Sequence, residues 1–212
     1  MTTDRTELLI VDIKISNLRS VVNAFTRIGA KCRISGDPTE VAAADCLVLP
    51  GVGAFGEAMK NLESQNLTEI LRKRVGRDGV PLIGICLGMQ LLASASEEHG
   101  HHTGLGLIKG AVQRLVPAVN ERVPNIGWCD TVPDKPSVLF PAIDHNRSFY
   151  YVHSYHFECT EPSDSAAHIS FGGRKVTVAV ERGNIFGAQF HPEKSQDAGL
   201  DMLKNFVDHV GA

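Results

Sequence analysis

Apolar positions follow two different rhythms along this 212-residue chain. Up to about residue 98, short apolar runs alternate with segments in which apolar residues recur every three or four positions. Residues 8–12 form a first run of strand length. Ser16 or Asn17 can then cap a helix. On it Leu18, Val21, Val22, Phe25 and Ile28 share one side, and Gly29 ends it. The pattern predicts a second strand over 31–35, a turn at Gly36-Asp37-Pro38, and a third strand over 46–49 that is apolar on both faces. A glycine-rich stretch follows, Pro50-Gly51-Val52-Gly53-Ala54-Phe55-Gly56. One helix is expected from about Glu57, and another carries Leu67, Ile70, Leu71 and Val75. Residues 82–85 are again an apolar run. Alternation of this kind predicts an α/β fold with a mostly parallel sheet and helices on both faces.

After Glu98 the helical rhythm disappears until about Gln196. Strand-like runs replace it, over 107–116, 149–159, 168–171, 176–181 and 185–190, with a hairpin turn at Arg182-Gly183-Asn184. The second half therefore adds a mixed or antiparallel strand region to the parallel core. Ser195 can cap a last helix with Leu200, Leu203, Phe206, Val207 and Val210 on one side. With no repeat, linker or low-complexity segment, residues 1–212 read as a single domain.

Composition narrows the picture. The chain is 43% hydrophobic and 21% charged, as expected of a globular protein. Its net charge of −3 gives no reason to expect nucleic acid or an anionic membrane as a partner. No apolar run approaches membrane length, and no signal peptide is expected, because the first residues lack an apolar core. The cysteines at 32, 46, 86, 129 and 159 are odd in number and show no paired spacing. Free thiols in a reducing, cytoplasmic compartment are expected.

The chemistry gathers on Leu82-Ile83-Gly84-Ile85-Cys86-Leu87-Gly88-Met89-Gln90. An apolar strand runs through Gly-x-Cys-x-Gly into a segment whose Leu87, Leu91, Leu92 and Ala95 suit one helical face. This is the cysteine counterpart of a nucleophile elbow. Glycine at 84 and 88 allows close approach of strand and helix, and the helix N-terminus favours a thiolate. A packing cysteine would also suit so apolar a setting. A nucleophile needs in addition a base and an orienting group. Gln189-Phe190-His191-Pro192-Glu193-Lys194-Ser195 offers both, because Pro192 fixes a turn that lets Glu193 reach the far ring nitrogen of His191.

These two stretches resemble the class I glutamine amidotransferases. Leu49 through Met59, Val123-Pro124-Asn125-Ile126-Gly127-Trp128 and Tyr151-Val152-His153-Ser154-Tyr155-His156 narrow the resemblance to glutaminase subunits of imidazole glycerol phosphate synthases, which serve histidine biosynthesis. The resemblance implies that Cys86, His191 and Glu193 hydrolyse L-glutamine to glutamate and ammonia. The tetrahedral oxyanion would take one N–H from Leu87 and another from Val52 or Gly53. Gln90 and Glu98 would hold the amino-acid end, with Glu98 a little over three turns along the elbow helix. The backbone around His153, Ser154 and Tyr155 would take the carboxylate. No cofactor is implied, and the cluster of His99, His101 and His102 lacks the spacing of a metal site. Trp128 is expected as a partly buried anchor.

The resemblance also implies a heterodimer with a (β/α)8-barrel cyclase subunit that consumes the ammonia, and Lys14, Asn17 and Lys194 are expected at that interface. One loop departs from the family: Asp12-Ile13-Lys14-Ile15-Ser16-Asn17 stands where Asp-Tyr-Gly-x-Gly-Asn is usual. A paralogue feeding an amidino-sugar synthase is the alternative that this loop leaves open.

Overall fold

The computed structural model describes residues 6–15, 17–141 and 147–211. Ser16, one of the two expected caps, lies outside them. The apolar runs of the first half become β1 (Leu8–Val11), β2 (Cys32–Ser35), β3 (Leu47–Gly51) and β4 (Leu82–Cys86). Between them lie α1 (Leu18–Arg27), α2 (Pro38–Ala43), α3 (Phe55–Ser64) and α4 (Thr68–Gly76). The pattern predicted only a turn where α2 begins. Asp37 caps that helix, accepting from the N–H groups of Thr39 and Glu40, with Pro38 at its first position. Six residues are too few to show a period.

The rest of the chain forms α5 (Leu87–Leu91), β5 (Ala95–Ser96), β6 (His102–Thr103), β7 (Gly110–Arg114), β8 (Asn125–Pro133), β9 (Arg147–His153), β10 (Tyr155–Cys159), β11 (Ser165–Phe171), β12 (Arg174–Arg182), β13 (Ile185–Ala188) and α6 (Gln196–Val210). Nine strands make one sheet, in the order β2-β1-β3-β4-β13-β12-β11-β8-β9. The first five are parallel and the remaining four extend the sheet antiparallel. A second sheet has the order β10-β7-β5-β6.

Three differences from the expected elements bear on the site. The helix after Cys86 ends at Leu91 instead of running on to Glu98. Ser94 breaks it by donating its N–H to Gly110, and Ala95–Ser96 pairs with β7. Serines at 94 and 96 favour such a break, since their hydroxyls compete for backbone partners. The run 149–159 is two strands, parted at Ser154 and belonging to different sheets. β8 was not foreseen, because half of its residues face outward and Gly127 interrupts its pattern with φ of 139°.

Apolar residues fill both faces of the large sheet. Phe25 of α1 and Leu203, Phe206 and Val207 of α6 pack on one side. Leu62 of α3 and Leu71 and Val75 of α4 pack on the other, with Phe157 of the second sheet. The chain leaves β1 toward β2 on one side and β3 on the other. Strand order therefore reverses there, the place where open α/β sheets bind ligands beyond their carboxyl ends. Gly51 at the end of β3 stands in register with Cys86 at the end of β4.

Candidate active site

Cys86 occupies a backbone conformation that side-chain-bearing residues avoid, with φ 55° and ψ −112°. Two glycines hold it there. A Cβ on Gly88 would fall 1.7 Å from the Leu49 carbonyl oxygen, and one on Gly84 would fall 2.6 Å from the Gly88 oxygen. Strand and helix can touch only without those carbons, and the sharp reversal lifts Sγ above the sheet edge.

His191 reaches the same point from the end of β13. Phe190 anchors it, stacked on Phe149 with ring centroids 4.0 Å apart and set edge-on to Tyr151. The His191 N–H donates to the Tyr150 carbonyl. The tight turn over Pro192–Lys194 brings Glu193 Oε1 to 2.8 Å from His191 Nδ1. The imidazole and Cys86 line the same cavity and interact electrostatically. Burial works against the charged imidazole, but the Cys86 and Glu193 contacts outweigh it and lift the pKa to about 10. Both contacts favour the protonated ring. Ser195 holds the N-cap position of α6, but its hydroxyl does not cap the helix. Its hydroxyl donates to the His191 carbonyl and accepts from the Tyr150 N–H, tying the turn to β9.

A cavity of ≈ 330 Å³ opens in front of these groups. Cys86, His191, Val52, Gly53, Leu87, Gln90, Glu98, His153, Ser154, Tyr155 and Lys194 all line it. Glu193 stands behind His191. Glu98 arrives from the segment after β5, not along a helix, and one carboxylate oxygen accepts the Phe55 N–H at the start of α3, at 2.7 Å. Gln90 uses its amide nitrogen twice, donating to the Tyr155 carbonyl and to Gln189 Oε1. The ring of His153 is committed inside the protein. Burial lowers its pKa to about 4, so it stays neutral, sharing Nδ1–H with the Tyr155 carbonyl and accepting at Nε2 from Asn125.

The two expected oxyanion donors differ. The Leu87 N–H is at the first position of α5, where a helix supplies no internal acceptor. The Val52 N–H is taken: it donates to the Ile15 carbonyl at 3.0 Å. Gly53 beside it has φ of 99° and open space around its α-carbon. At position 14 the departing loop keeps a glycine-like turn without glycine. Lys14 adopts φ of 67°, and its N–H donates to the Asp12 carboxylate.

Around the mouth, Lys194 lies over the Tyr150 ring at 5.9 Å, Asn17 shares a small cavity with Glu193 and Lys194, and Lys14 is exposed beside Asp12. Trp128 is less buried than expected, at 49% exposed. With Ile126 (61%) and Val152 (37%) it forms an outward apolar patch on paired β8 and β9. Alternation along 125–133 carried that signal. Gln189 was also missed as a site residue. Its polar side chain, fully buried within an apolar run, was the clue.

Residues 9–210 match the family described as "Glutamine amidotransferase class-I". The chain is 44% identical over 201 residues to "Imidazole glycerol phosphate synthase subunit HisH" of Chlorobium luteolum, covering 95% of this chain and 99% of that protein. It is 44% identical over 207 residues to the protein of the same name from Moorella thermoacetica, covering 96% and 97%. Among solved structures, "Structure of PurLQS from Thermotoga maritima" matches with a TM-score of 0.76 at 17% identity, over 97% of this chain and 99% of that one. "Crystal structure of glutamine amidotransferase" matches at 0.74 and 20%, over 96% and 99%. At such identities the two structures speak for the fold.

Proposed function

The chain belongs to the class-I glutamine amidotransferases, and from that premise we propose that it is the glutaminase subunit of an imidazole glycerol phosphate synthase. It hydrolyses glutamine to glutamate and ammonia, and the ammonia goes to a cyclase subunit in histidine biosynthesis. The observation that carries the chemistry is that the strained Cys86 and the Glu193-bound His191 line one cavity of substrate size.

Cys86 gives its thiol proton to His191 as the sulfur attacks the side-chain amide carbon of glutamine, so a C–S bond forms and the C=O π pair moves onto oxygen. The developing oxyanion takes the Leu87 N–H. His191 gives its proton to the departing nitrogen, so ammonia leaves and a thioester remains. Glu193 holds the imidazole in register and stabilises its charge. His191 then removes a proton from water, which attacks the thioester, and glutamate is released as the sulfur recovers its electron pair. Glu98 and the unshared Oε1 of Gln90 suit the α-ammonium group, and the backbone of residues 153–155 suits the carboxylate.

The second oxyanion donor requires the Val52 peptide to leave Ile15 and turn toward the pocket. Glycine at 51 and 53 makes that rotation sterically cheap. A missing donor slows acyl transfer by about 10²–10³, so the isolated subunit rests slow and the partner triggers it. That partner, of (β/α)8-barrel fold, docks on the mouth formed by Lys14, Asn17, Lys194 and the patch of Ile126, Trp128 and Val152. An apolar patch ringed by charges is the usual mark of such a surface. The pair works in the cytoplasm, where Cys86 stays reduced.

One experiment tests the assignment. Cys86→Ala in the assembled synthase should lose all glutamine-dependent turnover and keep turnover with added ammonium salts. Glutamine-dependent turnover in that variant would overturn it.

A further inference from the structure

Resting on the nucleophile reading of Cys86, we infer that Gln189 is a further catalytic residue, an amide N–H donor to the reacting sulfur. Its Nε2 lies 3.8 Å from Cys86 Sγ, within reach for a sulfur acceptor. The side chain is fully buried, at the end of the strand that also delivers His191. The amide is the hydrogen-bond donor that the geometry sets beside the sulfur.

The orientation of a carboxamide is decided by what surrounds it, and here the surroundings leave one choice. The Tyr155 carbonyl can only accept. It receives a hydrogen from Gln90 at 3.1 Å, which identifies that atom of Gln90 as its NH2 group. The same NH2 group lies 2.8 Å from the nearer atom of Gln189, which must then be an oxygen. The other end of the Gln189 amide is accordingly its NH2 group, and that end faces sulfur. An acceptor on Tyr155 thus dictates, through two amides, a donor at Cys86.

The carbonyl is itself pinned. His153 shares Nδ1–H with it at 2.8 Å, and Asn125 Nδ2 lies 3.2 Å from the opposite ring nitrogen. Asn125 donates to a neutral His153, and His153 and Gln90 both donate to the Tyr155 carbonyl, so every group in the network has a defined sense. Asn125, His153 and Gln90 are positioning residues for Gln189.

An N–H aimed at sulfur stabilises its charged form and holds its rotamer toward the incoming amide carbon. Once sulfur is acylated it accepts hydrogen bonds poorly, so Gln189 assists thioester formation more than its hydrolysis. No proton leaves Gln189 at any step.

The test follows alkylation of Cys86 by iodoacetamide in the full-length chain, read residue by residue by mass spectrometry. In wild type, Cys86 should react faster than Cys32 and Cys129. Gln189→Met keeps the length and removes the donor. It should react about tenfold more slowly at pH 7, with its pH–rate profile displaced alkaline by about one unit. Gln189→Glu puts an acceptor against sulfur and should react more slowly still. Alkylation of both folded variants within twofold of wild type would overturn the proposal. Should either variant fail to fold, wild type still decides. The side-chain amide ¹⁵N resonance of Gln189 should titrate with the alkylation midpoint and lose that titration in Cys86→Ala, and a flat resonance would overturn the proposal. A wild-type Cys86 no more reactive than Cys129 would instead refute the nucleophile reading on which it rests.

Discussion

Glu193→Gln separates the charge of the orienting acid from its shape. Both side chains of the pair are nearly buried, and His191 Nδ1 stands 2.8 Å from Glu193 Oε1. The carboxamide oxygen can still accept that N–H, so geometry survives while one negative charge disappears. At an effective dielectric of about 20, two charges 4 Å apart attract by about 4 kcal/mol. Burial of the imidazolium offsets part of this, leaving a net loss of about 2–3 kcal/mol in stabilising the protonated ring. A loss of that size lowers the His191 pKa by about two units, so kcat should fall by up to about 10²-fold near pH 10, where the wild-type ring still holds its proton and the variant's does not, with little change in KM. The pH dependence has a definite sign. The folded pKa of His191 is raised, so its contribution to stability is complete below the unfolded value of about 6.5 and is lost as pH rises toward about 10. The variant should therefore be destabilised most between about pH 5 and 6.5, and least near pH 10. The alkaline limb of kcat/KM should move to lower pH. Glutamate release by the assembled synthase and urea unfolding at several pH values measure both effects. A kcat within threefold of wild type with an unmoved alkaline limb would refute the role given to Glu193.

Gly53→Pro, which restricts φ where the chain adopts 99°, should keep basal glutaminase activity and lose most of the ~10²-fold or greater stimulation by the partner and its ribotide. Stimulation as strong as wild type would exclude the Val52 peptide as the switch. Trp128→Ala should weaken partner binding by at least about tenfold and leave the unfolding midpoint nearly unchanged. Equal affinity by calorimetry would place the interface elsewhere. Gly88→Ala drives a methyl carbon into the Leu49 carbonyl and should lower stability by more than ~3 kcal/mol, measured by urea unfolding.

The parallel half of the fold was legible because its strands are apolar on both faces and its longer helices keep a clear period. Local chemistry was legible where it depends on residue type in sequence, as at Gly84, Cys86, Gly88 and the His191–Glu193 turn. Other features depend on what arrives from elsewhere. Glu98 was expected on a long helix, yet the chain leaves that helix at Leu91 because Ser94 and β5 find partners on β7. No local pattern announces a partner 16 residues away. The engagement of the Val52 N–H is likewise a contact with a loop 37 residues earlier. β8 and its outward Trp128 stayed hidden because an edge region exposed on one face resembles a loop in composition. The glycine lost at position 14 proved structurally quiet, since Asp12 supplies the acceptor that lets Lys14 turn with positive φ.

β13 sits between β4 and β12, so a strand made about 100 residues after β4 closes the middle of the sheet. Until it emerges, β4 presents an apolar edge on one side. Synthesis at about 5–20 residues per second leaves that edge open for roughly 5–20 s after Cys86 has been made. Such an edge invites pairing with other nascent chains, so a chain truncated before Ile185 should accumulate as aggregate. The same arrangement guards glutamine. The base follows β13 by three residues, so no fragment that stops before His191 owns both a nucleophile and the group that serves it. Catalytic competence arrives with the final fold, not before it.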